Sequence, residues 1–119
     1  MRRLVLLRFL LFAAILGGCS DATGIGGGRS VSGPWSGTAD REDIFVTLTE
    51  DRGVIRGSGS WGSDAITVTG NRAGSDVSLV FEFSGYDPIN FQGRASTESM
   101  DGWLTGSGFH GESATFWRD

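Results

Sequence analysis

The segment Val77-Ser78-Leu79-Val80-Phe81-Glu82-Phe83 constrains this chain more than any other. Successive side chains of an extended strand point to opposite faces, so Val77, Leu79, Phe81 and Phe83 share one face while Ser78 and Glu82 take the other. The same period of two returns in Ile44-Phe45-Val46-Thr47-Leu48-Thr49, which groups Ile44, Val46 and Leu48, and in Ala65-Ile66-Thr67-Val68-Thr69, which groups Ile66 and Val68. No helical period appears after Gly33. Turn formers separate the apolar runs: Asp51-Arg52-Gly53, Gly62-Ser63-Asp64, Asn71-Arg72-Ala73-Gly74, Tyr86-Asp87-Pro88 and Gly108-Phe109-His110-Gly111.

The pattern predicts about eight strands, near residues 34–39, 43–50, 53–61, 65–71, 76–84, 89–96, 99–106 and 112–118. So even a spacing favours an all-β fold, a small antiparallel up-and-down meander barrel, with a β-sandwich as the alternative. Closure removes the open edges that a small sheet otherwise exposes. The inward set is Trp35, Ile44, Val46, Leu48, Ile55, Ile66, Val68, Val77, Leu79, Phe81, Phe83, Phe91, Met100, Leu104 and Phe116, interleaved with Gly57, Gly59, Gly93, Gly102 and Gly106. A barrel of this size is filled by side chains or holds one small ligand. Short strands favour the filled core. In the same register Phe45, Val80, Trp103 and Trp117 point outward, and Trp103 and Trp117 lie on successive strands, where they could be neighbours. Exposed aromatics are enriched at protein interfaces, so Phe45, Trp103 and Trp117 form a candidate partner surface.

Gly33-Pro34-Trp35 opens the first predicted strand and Phe116-Trp117-Arg118 closes the last. This arrangement resembles the lipocalin and avidin type of barrel, although biotin-binding motifs are not recognisable. The resemblance implies that Trp35 plugs one end and that Arg118 stacks on it as a cation–π partner.

Ahead of the strands, Arg2 and Arg3 precede an apolar run from Phe9 to Leu16, followed by Gly17, Gly18 and Cys19. The run suits a signal-peptide helix and is too short for a spanning one, which needs about 20 apolar residues. Leu16-Gly17-Gly18-Cys19 resembles the lipobox of bacterial lipoproteins. The resemblance implies cleavage between Gly18 and Cys19 and covalent lipid on the Cys19 thiol, with no other cofactor. Several acyl chains, each buried methylene contributing about 0.8 kcal/mol, make such an anchor effectively permanent. In that family aspartate directly after the cysteine retains the protein in the inner membrane. Ser20 stands there, so the outer membrane of a cell envelope is favoured. Cys19 is also the only cysteine, which excludes an intrachain disulfide.

The expected organisation is a signal peptide over residues 1–18, the lipidated cysteine and a flexible tether over 19–32, and the barrel over 33–119. The tether, rich in glycine and serine, spans roughly 20 Å as a coil. Cleavage removes three of the 10 basic residues and none of the 14 acidic ones, leaving a formal net charge of −7. That charge argues against nucleic acid and anionic lipid as partners.

Catalytic and metal-binding patterns are weak. His110 is the only histidine and nothing in the spacing selects a serine or aspartate to join it. Metal-ligand spacing is absent. Asp40, Glu42 and Asp43 cluster before a strand, and Asp64 and Asp76 sit in turns, all consistent with solvated charge. The residues therefore point to a non-enzymatic binding or scaffolding module that contacts another envelope protein, protease inhibition included. The alternative is a carrier of a small apolar ligand inside the barrel. For the anchor, Cys19→Ala is expected to abolish incorporation of radiolabelled lipid and release the protein from membranes; a variant that keeps label and membrane association would contradict it.

Overall fold

The computed structural model describes residues 30–119. The expected signal peptide, Gly18, Cys19 and the expected tether up to residue 29 lie outside them. Eight strands run in chain order: β1 Gly33–Ala39, β2 Glu42–Asp51, β3 Val54–Trp61, β4 Asp64–Ala73, β5 Asp76–Phe83, β6 Ile89–Ala95, β7 Ser99–Gly106 and β8 Phe109–Arg118. Each pairs antiparallel with the next, and β8 returns to β1 through Trp35↔Arg118, Ser36↔Trp117 and Gly37↔Phe116. The sheet is thus a closed up-and-down barrel, and the sandwich alternative falls away.

Taken as whole residues, all the buried positions among the described residues are apolar. The alternation read from β2, β4 and β5 sets their inward faces, with Ile44, Val46, Leu48, Ile66, Val68, Val77, Leu79 and Phe81 all buried. Rings fill the middle: Phe81 stacks on Phe116 at 5.8 Å, and Phe91 meets Phe116 edge-on at 5.3 Å. Glycines give these rings their room. At Gly37 an added Cβ would lie 2.8 Å from the Phe116 ring, and at Gly93 it would lie 2.7 Å from the Phe91 ring. Large side chains against glycine backbone make a filled lumen.

Each end of the barrel is stopped by a tryptophan. At the end where β1 begins and β8 finishes, here called the base, Trp35 is fully buried. Its indole Nε1–H donates to the Val31 carbonyl at 2.8 Å. The Arg118 guanidinium lies 4.4 Å from the Trp35 ring centroid. It also donates to the carbonyls of Ser30, Ser32 and Thr97 at 2.8–2.9 Å. Truncating a buried ring of this kind to alanine costs about 3–5 kcal/mol.

Residues 30–32, which composition assigns to the tether, are held onto the base. Val31 is fully buried, because the apolar side chain covers the end of the core. Its N–H donates to Glu50 at 2.9 Å, and the Ser32 hydroxyl accepts the Glu50 N–H at 2.8 Å. Glu50 in turn meets Arg72 at 2.7 Å, with both side chains largely covered.

Three details of the strands differ from the pattern. Trp61, Ile89, Ala95 and Ala114 join the core although alternation did not select them. Phe83 is half-buried at the rim rather than inside. The last turn is Ser107–Gly108, not residues 108–111, and β8 starts at Phe109. A register shift beside Leu104 and Thr105 absorbs the extra residue near Gly111 (φ 100°). It lets Phe109 pack edge-on against Trp61 at 6.0 Å instead of facing water.

The Glu50 clamp makes a pH prediction. Burial pushes the Glu50 carboxyl up, but hydrogen bonds from Arg72 and the Val31 N–H, with the Arg72 charge, outweigh it and hold the group below its ordinary value. A depressed carboxylate stabilises the fold above its unfolded pKa, and that contribution disappears as pH falls through the folded value. Denaturant unfolding from pH 7 to pH 3 should therefore find Glu50→Gln less stable than the native chain at neutral pH, with the two converging in acid. A gap that stays constant over the range would contradict the clamp.

Candidate functional site

The opposite end, the mouth, is built by four turns. Asp40 and Arg41 join β1 to β2 with positive φ at both positions (51° and 66°), the geometry of a tight primed hairpin turn. Gly62 (φ 62°) begins the turn between β3 and β4. A Cβ there would meet the Glu42 carboxylate at 1.9 Å, so the glycine leaves the space that Glu42 occupies. Residues 84–88 and Ser107–Gly108 make the other two connections.

These turns surround an aromatic floor. Trp61 is 95% buried and makes edge contacts with Phe81, Phe83 and Phe109 at 5.4, 5.6 and 6.0 Å. Phe83 meets Tyr86 at 6.0 Å, and Tyr86 is 61% exposed. Two clefts of about 260 Å³ open here. One is bounded by Asp40, Glu42, Trp61, Asp64, Phe83 and Tyr86, with Ile89 and Ser107 completing it. The other runs along Leu104, Phe109 and Glu112 and shares Asp40 and Ser107 with the first.

Charge separates the two ends. Among the described residues Arg41 is the single arginine at the mouth, whereas Arg52, Arg56, Arg72, Arg94 and Arg118 lie toward the base. At the base three of them have acids beside them, in Arg52–Asp51, Arg72–Glu50 and Arg94–Asp76. At the mouth Asp40, Glu42 and Asp64 border the first cleft, and no hydrogen bond or ion pair satisfies their carboxylates within the described residues. The aromatic floor is thus ringed by carboxylates that face solvent.

The sequence's other candidates fall elsewhere. Trp35 and Arg118 meet at the base, as described above. Phe45, Trp103 and Trp117 are each more than half exposed on the outer wall. They do not form one patch: Trp117 pairs with Ser99 and Trp103 with Ser113, a separation of about 13 Å along the strands at 3.3 Å per residue. The expected Trp103–Trp117 pair is therefore absent, and Phe45 and Trp117 instead flank Ser36 across β1. His110 is exposed, and its backbone N–H, not its ring, bonds Glu112. Asp76 pairs with Arg94 at the base, far from Asp64. No group of three or more acidic, histidine or cysteine side chains among the described residues is placed to hold a metal.

The mouth escaped sequence reading because its central residue, Trp61, follows Gly57-Ser58-Gly59-Ser60. Its inward neighbours on β3 are glycines, so no apolar alternation announced the strand's inner face. No protein-family model, curated protein or solved structure matches this chain.

Proposed function

We propose that this chain is a lipid-anchored envelope lipoprotein whose barrel is a non-enzymatic binding module, and that it engages another envelope protein through the mouth. The observation that carries the reading is the opposition of the two ends. The chain reaches the barrel at the base, where Ser30, Val31 and Ser32 are fixed by Arg118, Trp35 and Glu50. An anchor at Cys19 then lies 11 residues before Ser30, within about 20 Å for a coil. The base is tethered to the membrane, and the concave, acidic and aromatic mouth is left to meet a partner. The lipobox resemblance, and Ser20 after the cysteine, favour the outer membrane.

The mouth is favoured over the wall because the wall aromatics are dispersed, whereas Trp61, Phe83, Tyr86 and Phe109 are contiguous. The ring-filled lumen argues against an apolar-ligand carrier, and the lipocalin-like features, Trp35 under Arg118, belong to the closing of the base. A protease-inhibitor role is one form of the same protein contact. In native envelopes, a photo-cross-linking amino acid at Tyr86 is expected to give a discrete protein adduct, and one at Val54, exposed at the base, is not. Adducts from Val54 alone would overturn the assignment of the mouth.

A further inference from the structure

We infer that the mouth cleft receives a basic side chain, arginine or lysine, presented by a partner polypeptide. The inference rests on the reading of the barrel as an anchored binding module and names the chemistry that its mouth selects.

Three independent features point to this occupant. The first is charge: Asp40, Glu42 and Asp64 border one cleft, and no described cation pairs with them. Solvent-facing carboxylates of one sign raise the local concentration of cations and steer them inward. The second is the floor. Phe83 and the exposed ring of Tyr86 line the same cleft, and aromatic faces attract guanidinium and ammonium groups while covering the aliphatic stem behind them. The third is an unused donor. Trp61 borders the cleft and is 95% buried, yet its indole N–H has no hydrogen-bond partner among the described residues. Trp35, its counterpart at the base, donates to Val31. Buried donors are nearly always paired. A backbone carbonyl beside the inserted side chain supplies the acceptor that Trp61 lacks.

The cleft holds about 260 Å³. One long side chain fits, with its backbone resting on the rim.

The test is an NMR titration of the lipidated chain in zwitterionic detergent with N-acetyl-Gly-Arg-Gly-amide, its lysine counterpart, its norleucine counterpart, and guanidinium chloride. The arginine or lysine peptide, or both, should move the Trp61 indole N–H resonance and the amides of residues 40–42 and 64. The norleucine peptide should bind at least tenfold more weakly. Apparent affinity for the basic peptides should fall several-fold between low and physiological salt, as partly exposed charge pairs require. Asp40→Asn/Glu42→Gln/Asp64→Asn should lose at least tenfold. These substitutions keep side-chain size, and asparagine tolerates the positive φ at position 40. Tyr86→Ala, at an exposed position, should lose several-fold without unfolding the barrel. Equal binding of the norleucine peptide, shifts confined to the outer wall, or no response to any peptide would overturn the inference. Guanidinium alone binding as tightly as the arginine peptide would replace the polypeptide with a small cation and overturn it too. The Cys19→Ala experiment reads the anchor separately, so a silent mouth on a lipidated protein refutes the cleft chemistry and leaves the anchored module standing.

Discussion

The fold depends on how Arg118 closes the base. Barrel closure rests on a seam of three β1–β8 pairs, the shortest in the sheet. Arg118 stands at its end and ties four pieces of chain together. Its guanidinium holds the carbonyls of Ser30 and Ser32 before β1, the Thr97 carbonyl between β6 and β7, and the face of Trp35. Hydrogen bonds to a charged donor are stronger than neutral ones, and a planar fork satisfies three carbonyls while stacking on a ring. Lysine, a point charge on a flexible stem, could not do both. The clamp seats Val31 over the end of the core, and Glu50 with Arg72 locks it from the other side.

With the base closed, the two ends of the barrel become chemically different. At the base Glu50, Arg72 and Arg118 are engaged in internal bonds. At the mouth the indole of the second plug, Trp61, makes ring contacts and no hydrogen bond among the described residues, and the carboxylates around it answer to solvent. Polar and charged groups without an internal partner are inexpensive on a surface and informative about what approaches it. The proposed recognition end thus lies opposite the structural end, and residues 30–32 join the barrel at the structural end.

Much of this architecture is legible in the sequence where one face of a strand is apolar and the other is not. Val77 to Phe83 and Ile44 to Leu48 read directly, and the turns between them fix an eight-strand meander. The Trp35–Arg118 pair was suggested by a resemblance rather than by periodicity, and it is the geometry at the base. The mouth was not legible. Trp61 is preceded by inward glycines that carry no signal, and Phe109 reaches it through a bulge that pattern reading placed inside a turn. Asp40 and Glu42 read as solvated charge and are exposed, but their approach to Asp64 was not legible because it joins two separate hairpin turns. Register also undid the expected Trp103–Trp117 pair: adjacency of strands does not fix adjacency of residues along them.

The central claim is orientation: base toward the membrane, mouth away from it. It is tested most directly with the lipidated protein in vesicles carrying a headgroup-attached quencher, and a fluorophore placed at residue 52 on the base or residue 107 at the mouth. The account predicts strong quenching at position 52 and weak quenching at position 107, with the difference abolished when the anchor is removed. Equal quenching at the two positions, or stronger quenching at the mouth, would contradict it.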